Sequence, residues 1–168
     1  MMPPSTASIA TYTRAQDSPR HTVLGLTGGA IGCGPPLAVG AAVACPGRRV
    51  LNFQADGSLC YSLPALWTAA RERLRVVFVI CSNRAYQILN VEMSLQGVGI
   101  EDARGQRPSP GATSLATFTS LSDPTVDFVA LARGFGVPAG KASTTRELLK
   151  LLRESDGVEG PFLIEATL

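Results

Sequence analysis

The sequence predicts an α/β fold, a parallel sheet with helices on both faces. Apolar runs at 50–54, 76–81 and 162–166 have the length of buried strands and are rich in Val, Leu, Ile and Phe. Helical patterns separate these runs, and alternating strands and helices favour a parallel sheet. At 168 residues, the chain is long enough for one domain with a sizeable core.

The segment before the first strand divides into three parts. Residues 1–20 are rich in Ser, Thr and Pro and are expected to form an irregular lead-in, so the folded domain is predicted to span 21–168. Residues 28–36, the glycine loop, hold four glycines and end in Pro35-Pro36. The small residues at 37–45 predict a short, closely packed helix that ends at Pro46-Gly47.

The elements between the first two strands and after the second follow from local signals. Ser62 is a candidate N-cap with Pro64 in the first turn. Apolar residues then recur at helical spacing, and another helix is expected at 86–95. The apolar face predicted for the first of these helices consists of Leu63, Leu66, Trp67, Ala70 and Leu74.

The C-terminal third contains a long loop, two helices and two strands. Gly, Ser, Thr and Pro are frequent from 97 to 124, and loops of this length are commonly functional. A helix is predicted at 127–135 with Gly136 as its stop signal, followed by a short strand at 139–142. Thr144 or Thr145 is expected to cap a helix to Glu154, and strand 162–166 follows.

Composition excludes several classes of protein. The net charge is +2, from 15 Lys and Arg against 13 Asp and Glu, and the basic residues form no block, so nucleic-acid binding is not expected. No stretch approaches the ~20 apolar residues of a membrane helix, and the N-terminus lacks the apolar core of a signal peptide. We therefore expect a cytoplasmic protein that binds no membrane.

The cysteines and the single histidine argue against a zinc site. The four cysteines form no Cys-x-x-Cys pair, and His21 is the only histidine. Small apolar side chains in a reducing compartment are the expected interpretation. The four are Cys33, Cys45, Cys60 and Cys81.

Two polar residues follow the first two predicted strands. Asp56 comes just after the first and Asn83 just after the second, and the carboxyl ends of parallel strands line the ligand crevice. A carboxylate and an amide oxygen suit Mg2+, which often takes further ligands from a phosphate. Gly57 and Ser58 offer N–H groups at a helix start, where phosphate is favoured. The alternatives are an ordinary Asp-Gly turn and a helix cap at Asn83.

The glycine loop matches neither of the common nucleotide-binding patterns. Gly29 and Gly34 have Walker A spacing, but Pro35-Pro36 stand where Lys and Ser or Thr are required. The loop also lacks the Gly-x-Gly-x-x-Gly pattern of dinucleotide-binding folds. Tight helix–strand packing and ligand binding are equally good explanations of this loop by itself.

Three segments together resemble thiamine-diphosphate-dependent enzymes: Gly28-Gly29-Ala30-Ile31-Gly32, Ala55-Asp56-Gly57-Ser58 and Ser82-Asn83-Arg84-Ala85-Tyr86. The resemblance is to the acetolactate synthase and benzoylformate decarboxylase family, in particular its acetolactate-synthase-like large subunits. It runs from about His21 to Leu168 and covers the C-terminal, diphosphate-binding domain of that family. It implies the thiamine-diphosphate-binding fold without its first strand, because residues 1–20 do not have the pattern of a strand and a helix.

The resemblance also implies cofactor and metal sites. Asp56, the Asn83 side chain and the Ala85 carbonyl would bind Mg2+. Gly57, Ser58 and backbone N–H groups near position 86 would hold the diphosphate. The Gly29 carbonyl would accept a hydrogen bond from the aminopyrimidine, and Ile31 would wedge beneath the thiazolium ring unless it is simply a core residue. The implied cofactor-binding residues are Gly29, Ala30, Ile31, Gly57, Ser58, Tyr86, Gln87 and Ile88.

The function implied is that of a 2-keto-acid carboligase or decarboxylase domain. Its activating glutamate would come from another domain or chain, usually a neighbouring subunit of a homo-oligomer, and no catalytic residue is assigned within this chain. The alternative is a catalytically inactive or vestigial fragment that only binds the cofactor. None of the glutamates stands in the required context: Glu72, Glu92, Glu101, Glu147, Glu154, Glu159 and Glu165.

Overall fold

The structure, a computed structural model, describes residues 18–25, 27–96 and 118–168. Strands and helices alternate along most of this part of the chain, as the apolar pattern predicts. In chain order the elements are a 3₁₀ turn (Thr27–Gly29), α1 (Gly34–Ala44), β1 (Val50–Ala55), α2 (Asp56–Leu59), α3 (Pro64–Arg71), β2 (Val76–Ser82), α4 (Gln87–Leu95), α5 (Phe128–Gly134), β3 (Ala139–Ala142), α6 (Thr145–Glu154), a second 3₁₀ turn (Ser155–Gly157) and β4 (Phe162–Thr167).

The chain divides into two compact units. The first, here the sheet unit, comprises residues 1–82 and 127–168, and the second unit comprises residues 83–126. The sheet unit holds every strand named above, whereas the second unit holds α4. The two units are therefore described separately.

The sheet is parallel, with strand order β1-β2-β4-β3. Val50 pairs with Val76 and Ala55 with Cys81, so β1 and β2 run in register to their carboxyl ends. The parallel α/β fold predicted from the sequence is confirmed. The first two predicted strands are neighbours in the sheet.

One face of the sheet is covered by α6. Val77, Val79 and Ile164 form its buried core with Phe162, Ala142 and Ala166. The leucines of α6 pack against this cluster. Helix α6 lies close to β3, as shown by Gly140, where a β-carbon would lie 2.6 Å from Leu151 Cδ2. The α6 residues involved are Leu148, Leu151 and Leu152.

The opposite face carries the alternate strand residues. Phe78, Ile80 and Leu163 are fully buried there, as the period-2 geometry of strands requires. Helix α1 packs on β1 and β2, and α5 packs on β3 and β4. Helices on both faces are what a parallel sheet needs to bury its apolar strands.

The cap of α6 is predicted correctly from local sequence. Thr144 Oγ1 accepts a hydrogen bond from the Glu147 backbone N–H, and the Glu147 carboxylate accepts from the Ser143 and Thr144 N–H groups. This is a capping box. The N–H of Ser143, followed by the Thr144 side chain, lowers the pKa of Glu147. Asp127 likewise caps α5, its Oδ1 accepting from Ala130 N at 2.8 Å.

Helix α3 corrects two details of the prediction. Leu66 and Ala69 are fully buried, but Trp67 is half exposed and its ring lies 5.4 Å from the Arg71 guanidinium carbon. The buried residues Leu66 and Ala69 are three positions apart on one face of the helix, and Trp67 lies at the edge of that face. Ser62 does not cap this helix, since Leu63 occupies the N-cap position and no side chain caps the helix.

Two predictions fall largely outside the described residues. The lead-in at 1–20 and the missing first strand concern a segment of which the structure describes only 18–20, so both remain predictions, as does the domain boundary at residue 21. Most of the predicted loop at 97–124 is outside as well. None of the helices in the described part combines the length and apolarity needed for a membrane span.

Candidate functional site

Asp56 lies where β1 ends and the short helix α2 begins. Its carboxylate is 1% exposed, and its Oδ1 accepts a hydrogen bond from Gly57 N at 2.8 Å. Ala55 is extended and α2 starts at Asp56 itself, so the side chain sits in the first turn, where a negative charge is favourable. Burying a charge is costly unless it has partners, and such positions are commonly functional.

The charge of Asp56 affects the pKa of two neighbouring thiols. Burial raises the pKa of Cys60, and the negative charge of Asp56 raises it further. The pKa of Cys81, at the end of β2, is raised by the same two causes in the same order. Both thiols therefore stay protonated near neutral pH. No group of three His, Cys, Asp or Glu side chains in the described ranges could hold a metal, so a zinc-type site is absent there.

Ser58 connects α2 with the glycine loop. Its hydroxyl, only 4% exposed, accepts a hydrogen bond from Gly32 N at 2.9 Å and another from Gln54 Nε2. Gln54 is a functional candidate that sequence reasoning missed. The available signal was a polar residue two positions before Asp56 within an otherwise apolar strand.

The glycine loop adopts a conformation that suits glycine. Gly28, Gly29 and Gly32 all have positive φ angles, 65°, 65° and 79°. At Gly32 space is also limiting, since a β-carbon would lie 2.6 Å from Tyr61 Cβ. Ile31 is 44% exposed, so it is not a core residue, and the alternative interpretation of this position is wrong.

The predicted residues after β2 belong to the second unit. Asn83 Oδ1 accepts from Ala85 N at 3.0 Å, and Arg84 between them has φ 58°. Ala85 forms an isolated antiparallel bridge with Ser120. Asn83 thus closes an Asx turn. It does not cap the following helix, which begins only at Gln87.

The start of α4 completes the set of predicted residues. Tyr86 N donates to Thr119 O at 2.8 Å, which anchors the turn. Gln87 and Ile88 are both exposed at the first turn of α4. The residues predicted for the diphosphate are therefore divided between the two units. A cation shared by Asp56 and Asn83 remains a prediction.

The residues of the sheet unit fit a metal-bound diphosphate in their donor chemistry. Asp56 offers carboxylate oxygens, the ligand type that Mg2+ prefers. Ser58 already accepts two hydrogen bonds, so its remaining capacity is its O–H donor, which suits a phosphate oxygen. The Gly57 N–H, in contrast, is engaged by Asp56.

Comparisons with known proteins show the family to which the chain belongs. A family model described as "Thiamine pyrophosphate enzyme, C-terminal TPP binding domain" matches residues 5–166. IlvX of Mycobacterium tuberculosis, provisionally named an acetolactate synthase large subunit, is 46% identical over 148 residues, which are 88% of this chain and 27% of that protein. Benzoylformate decarboxylase of Pseudomonas aeruginosa is 36% identical over 137 residues, 82% of this chain and 23% of that protein.

A solved structure shows the same fold. The thiamine diphosphate-dependent 4-hydroxybenzoylformate decarboxylase of Rhodococcus jostii RHA1 superposes with a TM-score of 0.72 at 29% identity. The match covers 99% of this chain and 28% of that chain. This chain therefore spans about a quarter of the length of the relatives it matches.

Proposed function

This chain belongs to the thiamine pyrophosphate enzyme family, as its C-terminal TPP-binding domain, and we propose that it binds thiamine diphosphate through Mg2+ as the C-terminal part of a 2-keto-acid carboligase or decarboxylase. The observation that carries the proposal is the buried carboxylate of Asp56 at the end of β1, beside the end of β2. A buried carboxylate at parallel strand ends is suited to a hard cation that bridges to phosphate.

In this proposal the metal takes oxygen ligands from three residues. Asp56 supplies the charged oxygen, and Asn83 and the Ala85 carbonyl supply neutral ones. The dication attracts the negatively charged carboxylate more strongly than it attracts a neutral amide or carbonyl oxygen. Asp56 is therefore the ligand whose loss costs most.

The cofactor is held at both ends. The Ser58 hydroxyl and the backbone N–H groups of Gln87 and Ile88 hold the diphosphate end. Gly57 and Tyr86, whose N–H groups are engaged by Asp56 and Thr119, line it.

The ring end would lie on the glycine loop, where Gly29 offers its carbonyl, Ala30 lines the loop and the exposed side chain of Ile31 would support the ring. When bound, thiamine diphosphate supplies a carbon nucleophile and an electron sink for a 2-keto acid.

Activity requires more than this chain contains. The chain corresponds to about a quarter of its relatives, so the remaining domains, on another chain or in a longer protein, supply the activating glutamate. Glu165, the buried glutamate of β4, is engaged by Lys141, with Nζ 3.2 Å from Oε1. We infer that the assembled enzyme is a homo-oligomer, and that the chain by itself binds without turnover. A vestigial, binding-only fragment is the alternative.

Calorimetric titration with thiamine diphosphate in the presence of Mg2+ tests the binding. We expect Asp56→Ala to abolish it, because the metal loses its charged protein ligand. Asp156→Ala is the matched control: Asp156 is exposed and pairs with Arg49 on the surface, a kind of ion pair worth at most about 1 kcal/mol. Equal binding by the two variants would refute the role of Asp56.

A turnover assay separates the enzyme domain from the vestigial fragment. The chain alone should not consume pyruvate or benzoylformate, since loss of a general acid–base partner costs at least ~10²–10⁴ in rate. Addition of a complementary chain with the N-terminal domains should restore activity. Failure of that mixture to turn over, with cofactor binding intact, would favour the binding-only alternative.

A further inference from the structure

Gln54 is a buried polar residue that fold stability alone does not explain. It is 1% exposed on β1, and its Oε1 has no hydrogen-bond partner among the described residues. A buried amide oxygen without a partner destabilises the folded state, so stability alone would favour an apolar side chain of this size. The other half of the amide, Nε2, donates to the Ser58 hydroxyl.

The Ser58 hydroxyl is thereby committed as a donor. A serine oxygen has two acceptor lone pairs and one hydrogen. Gly32 N and Gln54 Nε2 occupy both lone pairs, and no described residue of the sheet unit accepts the Ser58 hydrogen. An oxygen with both lone pairs filled can bind a further group only through its hydrogen, which selects an acceptor such as an anionic oxygen.

The same two hydrogen bonds join three segments of the sheet unit. Gln54 belongs to β1, Ser58 to α2 and Gly32 to the glycine loop, 26 positions away from Ser58. Gly32 packs closely against Tyr61, because its φ is 79° and a β-carbon there would lie 2.6 Å from Tyr61 Cβ. The loop is therefore held at Gly32, two positions before α1 begins.

We propose that Gln54 is a positioning residue of the cofactor site, which orients the Ser58 hydroxyl as a donor to the diphosphate and holds the glycine loop against α2. This inference rests on the proposed function, because its ligand is thiamine diphosphate. In this proposal Gln54 acts through Ser58. Gln54 thereby fixes the position of Ser58, which would bind the diphosphate end of the cofactor, relative to residues 29–31, which would bind its ring end.

The test uses the full chain with Gln54→Met, Ser58→Ala and the double variant. Methionine keeps the length of the side chain and removes both polar atoms, so the fold survives without a buried orphan oxygen. The first readout, without ligand, is amide hydrogen exchange of Gly32 by NMR, with the Leu163 amide in the sheet core as internal reference. We expect Gly32 exchange to accelerate about fivefold in Gln54→Met, the effect of losing one ordinary hydrogen bond, while Leu163 is unchanged.

The second readout is the affinity for thiamine diphosphate with Mg2+, measured by calorimetry. Each single variant should bind several-fold more weakly, and the double variant no more weakly than Ser58→Ala, because Gln54 acts through Ser58. Gln96→Met, at an exposed glutamine, is the matched control and should change neither readout.

Each outcome has a distinct meaning. Unchanged Gly32 exchange in Gln54→Met overturns the inference, and so does a loss of affinity in the double variant equal to the product of the single losses. A general acceleration that includes Leu163 would show a merely structural role and would also overturn it. A wild-type chain that binds no thiamine diphosphate refutes the proposed function, and with it the cofactor role of Gln54, even if Gly32 exchange still responds.

Discussion

Replacement of Gly32 by alanine tests whether close packing holds the glycine loop in place. The new β-carbon would lie 2.6 Å from Tyr61 Cβ, far inside the ordinary carbon–carbon contact of about 3.5–4.0 Å. Tyr61 Cβ is attached directly to the backbone, so rotation of the tyrosine ring does not relieve the clash. Either the loop or the segment after α2 has to move.

The cost has two parts. A residue with a β-carbon in the left-handed region, here at φ 79°, loses about 1–2 kcal/mol. Overpacking a closely packed site adds about 1–3 kcal/mol. Alanine also restricts the unfolded chain, which returns about 0.4–1 kcal/mol. The expected loss in free energy of unfolding is therefore about 1–4.6 kcal/mol.

Gly136→Ala is the matched control. Its φ is 78°, nearly that of Gly32, but a β-carbon there would meet Ala70 Cβ at 3.9 Å, an ordinary contact. This variant has only the conformational part of the cost, about 0–1.5 kcal/mol after the unfolded-state term. The difference between the two variants isolates the clash.

Urea unfolding followed by circular dichroism measures both variants. We expect Gly32→Ala to be less stable than Gly136→Ala by about 1–3 kcal/mol, the overpacking term. Equal stability of the two, within about 0.5 kcal/mol, would show that Tyr61 and the loop do not pack as described.

Three further predictions concern the charge of Asp56 and the cap of α6. Burial is the main cause of the raised pKa of Cys60 and Cys81, and the negative charge of Asp56 is the second. Asp56→Asn removes that charge, so both thiols should react faster with iodoacetamide at about pH 8–9, as measured by mass spectrometry. Unchanged reaction rates would contradict this. Thr144→Ala should lower the free energy of unfolding by about 1 kcal/mol through loss of the cap. The pKa of Glu147 is lower in the folded than in the unfolded chain, so ionised Glu147 stabilises the folded state at neutral pH, and this stabilisation is lost as pH falls through the folded pKa. The loss in free energy of unfolding caused by Glu147→Gln should therefore be smaller at about pH 3 than at neutral pH. The same loss at both pH values would refute this role of Glu147.

Much of the fold could be predicted because its signals are local. The strands at 50–55, 76–82 and 162–167 are apolar runs, and Thr144 and Asp127 cap helices whose first turns lie next to them in the chain. Such signals depend on the backbone within a few residues. The position of Asp56 at a strand end can be predicted in the same way, because a turn residue directly after a buried apolar run marks the end of that strand.

The class of fold, most of its elements and the chemistry of the candidate residues can thus be inferred from the sequence. The strand order β1-β2-β4-β3, the exposure of Trp67 and the contact of Gly32 with Ser58 become known only from the folded chain. Each of these depends on which faces meet after the chain has folded. The role of Gln54 belongs here too: in the sequence it is one polar residue in an apolar strand, and its significance comes from the hydroxyl that a loop 26 positions from Ser58 also binds.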